Sequence, residues 1–116
     1  MKKFDLEQRT LKFSKEVMKL LSSLEKNIMN KHIAGQCFRS ATSIGANYRE
    51  ANDALGKRDF LMRAKIARKE AKETTYWLEL IQTTTQNKEM LLNLIQESKE
   101  LTYVLSAIIK KATNNK

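Results

Sequence analysis

The sequence is poor in residues that break helices, form disulfides or enter a membrane. Its 116 residues include no proline, three glycines, one cysteine and one histidine. So few proline and glycine residues favour a few long helices over a fold of many short strands and turns. The single cysteine, Cys37, excludes an internal disulfide and predicts a reducing, cytoplasmic setting.

Long apolar runs are missing as well. No more than three strongly apolar residues follow one another anywhere in the chain, so we expect no membrane span. The first residues, MKKFDLEQRT, carry lysines but no apolar segment after them, and we expect no signal peptide. Without a linker, repeat or low-complexity tract, residues 1–116 are predicted to form a single domain.

Charge, in contrast, is abundant and of unequal sign. There are 22 Lys and Arg residues against 13 Asp and Glu, which gives a formal net charge of +9 and a pI of about 9.8. Such an excess predicts a polyanion or an anionic surface as partner. General solubility is the alternative explanation, and charge alone identifies no partner.

Apolar residues recur with the helical period in four segments, about residues 5–24, 31–55, 58–84 and 88–112. Asp5 is a candidate N-cap for the first segment, and Gly56 is a candidate stop after the second. No strand-like alternation competes with this pattern. Four amphipathic segments with short connections predict an all-α protein, an antiparallel up-and-down four-helix bundle.

The second segment contains a stretch in which most side chains between Arg39 and Tyr48 are small, RSATSIGANYREA (39–51). Glycine inside a helix costs about 1 kcal/mol relative to alanine, so glycines here require a reason. A phosphate-binding loop would need a preceding strand, and none is predicted. We therefore interpret the small residues as a close-packing or oligomer-contact surface, formed by Gly35, Thr42, Gly45 and Ala46.

The third segment is apolar over more than half of its circumference, which is more than one bundle core can cover. A second copy of the chain would cover the additional face. A central helix that contacts both of its neighbours inside one bundle is the alternative. The additional face comprises Met62, Ile66, Trp77 and Leu80.

The same segment carries basic residues within an arc of about 120° at helical spacing. Such a stripe can follow a phosphate backbone, and it is our candidate nucleic-acid-binding surface. The alternative is a solvated face whose charges are balanced by acidic residues, as in Lys69–Glu73 and Lys72–Glu79 pairs. Tyr76 and Trp77 could stack on bases, although helical spacing favours the core or an interface for both. The stripe comprises Lys57, Arg58, Lys65, Arg68, Lys69 and Lys72.

The sequence offers little material for catalysis or metal binding. The single histidine, His32, has no matching acid or nucleophile at helical spacing, and Cys37 lies on the core stripe of its segment. Glu70 and Glu73 lack the Glu-x-x-His spacing of carboxylate metal bundles. Arg63 and Glu70 are expected to pair with each other or across an interface. We therefore predict no enzyme activity, no metal and no cofactor.

Three stretches closely resemble one bacterial family: QCFRSATSIGANYREA (36–51), RDFLMRAKIARKEAKET (58–74) and YWLELI (76–81). This is the family of four-helix-bundle proteins of 23S ribosomal RNA intervening sequences, sometimes classed with ribosomal proteins. The resemblance runs from Phe4 through the last helical segment. One difference is Gly56, where a serine is usual, and glycine weakens the N-cap of the third segment.

The resemblance implies a four-helix bundle that assembles into a homopentamer without known enzymatic chemistry. Some members of the family are encoded inside an insertion in the large-subunit ribosomal RNA gene. A related branch comprises accessory proteins of diversity-generating retroelements, which are basic pentamers that bind a reverse transcriptase and nucleic acid.

Two hypotheses follow for the function. In the first, the protein is a basic oligomeric module that binds RNA or DNA through backbone contacts. In the second, it is a protein-interaction scaffold, or an accessory subunit of a partner enzyme such as a reverse transcriptase, whose charge steers association. Affinity for arbitrary nucleic acid would distinguish the two.

Overall fold

Four α-helices account for most of the chain that the computed structural model describes, residues 3–83 and 85–114. They are α1 (Lys3–Ser22), α2 (Ile28–Asn52), α3 (Lys57–Leu80) and α4 (Thr85–Asn114). No strand occurs within these residues. The all-α class and the number of helices are confirmed, and each predicted helix end lies within four residues of the observed one.

Two predicted helix ends are wrong in their details. The second helix ends at Asn52, so Gly56 is not its stop but the residue that caps the N-terminus of α3. Gly56 has an extended backbone and no side chain that could bond the first turn, so this cap relies on the backbone alone. Asp5 lies in the first turn of α1, where its carboxylate faces the positive end of the helix dipole.

The helices form a ring in which α1 contacts α2 and α4, and α3 contacts the same two helices. Within the described residues, no Cα atoms of the diagonal pairs, α1 with α3 and α2 with α4, lie within 8 Å of each other. Because the connections are short, neighbouring helices run antiparallel, as an up-and-down bundle requires. The bundle measures 49 × 23 × 19 Å, and none of its described helices is long and apolar enough to cross a membrane.

The core is built from large side chains on α1 and α4 and from smaller ones on α2 and α3. Phe13, Leu101 and Leu105 are almost completely buried, whereas α3 contributes mainly alanines to the interior. Small side chains on facing helices allow their backbones to approach closely. The fully buried alanines are Ala41 on α2 and Ala64, Ala67 and Ala71 on α3.

The stretch of small side chains in α2, residues 39–51, has one close contact inside the chain, at Gly45. A Cβ atom there would lie 2.8 Å from Thr10 Oγ1 and 3.1 Å from Thr10 Cβ, so only glycine fits against α1 without displacement. At Gly35, an added Cβ atom would meet nothing within 4 Å. Thr42 is half-buried and Ala46 is exposed. Of the four small residues, only Gly45 is needed for close packing within the chain.

Hydroxyl groups connect the helices inside the core. Thr74 Oγ1 donates to Ser40 Oγ at 2.8 Å and thereby joins α3 to α2. Thr75 Oγ1 and Ser98 Oγ lie 2.6 Å apart and join α3 to α4. Among the described residues, no buried side-chain nitrogen or oxygen lacks a partner. These bonds fix the height and rotation of α3, and therefore the direction in which its outer face points.

Candidate nucleic-acid interface

The six predicted basic residues of α3 lie on the side of the helix that faces away from the core. Arg68 is half-buried and the other five are exposed. At about 100° per residue, the arc of these six residues is centred roughly 110° around the helix from the buried row of alanines, and its edge at Lys57 and Arg68 lies nearest to that row. We refer to them as the basic stripe: Lys57, Arg58, Lys65, Arg68, Lys69 and Lys72.

Two of the acidic residues on α3 are bound by an arginine from α2. Arg39 donates from Nη1 to Glu70 Oε2 at 3.0 Å and from Nη2 to Glu73 Oε2 at 2.9 Å. The charge of Glu70 is the main reason that the pKa of Arg39 is raised, and the hydrogen bond to Glu73 adds to it. Both carboxylates therefore face α2 rather than the basic stripe.

This arrangement leaves the basic stripe without the local ion pairs that were expected to balance it. The Lys69–Glu73 pair does not form, because Glu73 binds Arg39, and Lys72 makes no ion pair with Glu79. Arg63 and Glu70 do not pair with each other within the chain, and the alternative of a pair across an interface stays a prediction. Arg63 instead donates to Asn47 Oδ1 at 3.4 Å.

Most of the basic stripe is without a counter-charge. Within the part of the chain that the structure describes, five of its members have no carboxylate oxygen within 4.0 Å. Lys57 differs, since its Nζ donates to the carbonyl oxygen of Thr113 at 3.4 Å. Uncompensated cations on the outer face of a helix attract a polyanion and release its counterions on binding. The five are Arg58, Lys65, Arg68, Lys69 and Lys72.

A shallow depression of about 450 Å³ lies beside the basic stripe, between α2 and α3. Tyr76 forms part of its wall and is 58% exposed, so this tyrosine is not a core residue. Trp77 is half-buried and packs on the core. Its ring makes edge-to-face contacts with Tyr76 at 5.3 Å and with His32 at 5.8 Å between centroids. The depression is lined by Gln36, Arg39, Lys72, Glu73, Tyr76 and Trp77.

Sequence reasoning missed two residues of this depression, Gln36 and Arg39. Both lie on the side of α2 that faces α3, three residues apart. Two carboxylates at i and i+3, Glu70 and Glu73, are the signal that could have suggested a shared cationic partner. The sequence does not show that α2 rather than α3 supplies it.

Apolar side chains remain uncovered on two parts of the surface. Met62 and Leu80 of α3 are 49% and 42% exposed, whereas Ile66 and Trp77 are half-buried. On the other side of α2, a second apolar group borders Gly35 in the groove between α1 and α2. The exposed members of that group are Met18, at 45%, and Phe38, at 47%. The bundle itself covers neither surface.

The residues considered for chemistry have ordinary surroundings. Cys37 is buried, and removal from water raises the pKa of its thiol to about 12. His32 is exposed and touches Trp77. Within residues 3–83 and 85–114, no group of three or more His, Cys, Asp or Glu side chains could hold a metal ion.

The fold and this surface define the chain as a small basic four-helix protein whose third helix presents an uncompensated cationic face. The model of the family described as 23S rRNA-intervening sequence protein matches residues 2–107, and the chain belongs to this family. The resemblance inferred from the three sequence stretches is thereby confirmed.

A solved structure shares the fold along almost its full length. It is the crystal structure of a protein of unknown function from the S23 ribosomal protein family of Bacteroides thetaiotaomicron. The two sequences are 36% identical, the TM-score is 0.79, and the match covers 95% of this chain and 99% of that one. No curated protein matches the chain.

Proposed function

We propose that this chain is a non-enzymatic nucleic-acid-binding module, with RNA as its foremost ligand, that acts in the cytoplasm. The observation that supports this most directly is the state of the charges on α3. Arg39 binds Glu70 and Glu73, while five cations of the basic stripe have no counter-charge in the described part of the chain. The outer face of α3 therefore carries charge that a phosphate backbone can neutralise.

The length of the stripe suits several phosphates at once. From Arg58 to Lys72 the helix rises about 21 Å, at about 1.5 Å per residue. Lysine and arginine contacts with phosphate position a nucleic acid without reading its bases. Binding through this face is therefore expected to tolerate many sequences.

We further propose that the protein is a homo-oligomer, with five copies as the family resemblance implies. The uncovered apolar side chains on α3 and beside Gly35 support assembly, because a partner surface would remove them from water. Each added copy repeats the basic stripe around the symmetry axis. Several weak phosphate contacts then act together on one ligand.

The proposed activity is tested by binding at several salt concentrations. We expect the purified protein to bind mixed-sequence RNA and DNA, with affinity that falls steeply as salt rises, because counterions are released on binding. Fluorescence anisotropy between about 0.05 and 0.2 M salt measures the slope of log K against log salt. Absence of affinity at the lowest salt would reject nucleic-acid binding.

The proposed assembly is tested by mass. Light scattering is expected to give several times the 13.4 kDa mass of one chain, because the apolar surfaces require a partner. A single-chain mass at micromolar concentration would contradict the oligomer. The two tests are independent, since a monomer can still bind nucleic acid.

A second candidate function is a scaffold or accessory subunit for a partner enzyme, such as a reverse transcriptase. The groove between α1 and α2 favours it, because Met18 and Phe38 expose adaptable apolar surface there. A scaffold does not need to bind nucleic acid by itself, so absence of affinity at the lowest salt would favour this second function. The salt experiment therefore separates the two candidates.

A further inference from the structure

The basic stripe ends at Lys72, which shares a depression with the exposed ring of Tyr76. The proposal below rests on the proposed function, nucleic-acid binding. We propose that the depression around Tyr76 receives an unpaired base, so that the protein prefers single-stranded segments of RNA or DNA over duplex. Tyr76 supplies the stacking surface, and Lys72, which lines the same depression, supplies a phosphate contact.

The tyrosine ring packs against a neighbour that belongs to the core. Trp77 packs on the core and contacts the ring of Tyr76 edge-to-face, with centroids 5.3 Å apart. Trp77 also makes an edge-to-face contact with His32 of α2, with centroids 5.8 Å apart. Although Tyr76 is 58% exposed, it therefore has a rigid neighbour, and less conformational entropy is lost when a base stacks on it.

The phosphate and base contacts are correctly spaced for one strand. Lys72 and Tyr76 are four residues apart on α3, so they lie on the same side of the helix, about 6 Å apart along its axis. Within a single nucleotide, the base and its phosphate are separated by a comparable distance. A strand that places phosphates on the basic stripe can therefore turn a base towards Tyr76.

The remaining groups of the depression fit the edge of a base. The side-chain amide of Gln36 makes no hydrogen bond to any described residue. An amide offers both a donor and an acceptor, so it can match the edge of any of the bases. Arg39 and Glu73 are held by their ion pair and present a fixed polar wall. This combination predicts tolerance of sequence together with selection for unpaired bases.

Strand state is the property that separates this inference from simple phosphate binding. Bases inside a duplex are stacked and paired, and they cannot reach Tyr76 without being displaced. Phosphates of a duplex remain available to the basic stripe. Duplex is therefore expected to bind, but more weakly than a single strand of equal length.

The experiment compares oligonucleotides of about 16 nucleotides: uridine RNA, thymidine DNA, and RNA and DNA duplexes of that length. Tyr76→Ala is expected to lower affinity for both single strands by about 5- to 100-fold and to change duplex affinity little. Tyr76→Phe keeps the stacking ring and is expected to bind like the wild type. Tyr103→Ala is the matched control, because Tyr103 is 70% exposed on α4, away from the basic stripe.

The fluorescence of Trp77, which lines the depression, provides a second measurement of binding there. Trp77 is the only tryptophan of the chain, so its fluorescence observes this position alone. We expect single strands to quench or shift its emission more than duplex does at equal saturation. The RNA and DNA arms then show which sugar the surface prefers.

The outcomes distinguish this inference from the proposed function. If Tyr76→Ala binds single strands as tightly as the wild type, while neutralising Lys65, Arg68 and Lys72 weakens binding, the base site is rejected and phosphate binding stands. If the wild type binds no nucleic acid, the base site and the proposed function are both rejected. If Tyr76→Ala loses oligomer mass, as the other variants do not, Tyr76 is a contact between copies and the base site is rejected.

Discussion

Replacing Lys65, Arg68 and Lys72 together with glutamine is expected to weaken nucleic-acid binding by about two orders of magnitude at 0.1 M salt. Each lost phosphate contact lowers the slope of log K against log salt by about 0.7–0.9, so the triple variant is expected to lose about two to three units of slope. The reason is the uncompensated charge of these side chains, none of which makes an ion pair in the described part of the chain. Anisotropy titrations at several salt concentrations measure both quantities.

A matched control removes the same charge from another face. Lys12, Lys15 and Lys19 are all exposed on α1, which lies diagonally across the bundle from α3. Their replacement with glutamine lowers the net charge equally but leaves the basic stripe intact. We expect this control to retain most of the affinity and slope.

Equal losses in the two triple variants would show that net charge, rather than the face of α3, governs binding. Undiminished binding in the stripe variant would mean that nucleic acid binds elsewhere. Helical circular dichroism and oligomer mass must be unchanged in both variants, which is expected because the substituted side chains do not belong to the buried core.

The second large effect concerns stability. Gly45→Leu is expected to lower the free energy of unfolding by about 1–3 kcal/mol, through overpacking against α1. Even a Cβ atom at this position would lie 2.8 Å from Thr10 Oγ1, and Thr10 is completely buried, so a longer side chain must push α1 and α2 apart. Thermal and denaturant unfolding at one protein concentration measure the change.

The same substitution at Gly35 provides the control. Gly35 lies in the interior of the same helix, but an added Cβ atom meets nothing within 4 Å there. Within one bundle, Gly35→Leu is therefore expected to raise stability by about 0.5–1 kcal/mol, through better helix propensity. Because Gly35 borders a surface proposed for assembly, a loss of oligomer mass in this variant would report on that surface and not on the bundle. Equal destabilisation by both substitutions would contradict the assignment of the close contact to Gly45 alone.

A suppressor locates the Gly45 contact. Thr10→Ala removes the Oγ1 atom nearest to the added side chain, so it is expected to recover part of the stability lost in Gly45→Ala. Additive losses in the double variant would place the strain elsewhere. Oligomer mass measured on the same samples shows whether the substitution disturbs packing within one bundle or contacts between copies.

The helices and their number were readable from the residues alone, since an amphipathic helix repeats its apolar positions at a fixed period. The chain lacks proline, so nothing interrupts those periods. Helix ends depend on more than the apolar period. Glycine is common both just after the end of a helix and at an N-cap, so the sequence did not show which of the two Gly56 would be. Because α2 already ends at Asn52, Gly56 is the N-cap of α3.

The basic stripe was also visible in the sequence, because its members share one arc of α3. The sequence did not show, however, whether acidic residues neutralise these charges. Lys69 and Glu73 have the i, i+4 spacing of a helical ion pair, and local rules predict that they bind each other. Arg39, which lies 34 residues before Glu73 in the sequence, takes the carboxylate instead.

Periodicity and composition thus established the four helices, the excess of positive charge and the face of α3 that carries it, because these depend on neighbours within a helix or on the chain as a whole. Packing between helices established the rest. It directed Gly45 towards Thr10, placed Arg39 beside Glu70 and Glu73, and left Tyr76 exposed against Trp77. Such contacts join residues far apart in the chain, and their partners are set by the rotation and height of each helix in the bundle.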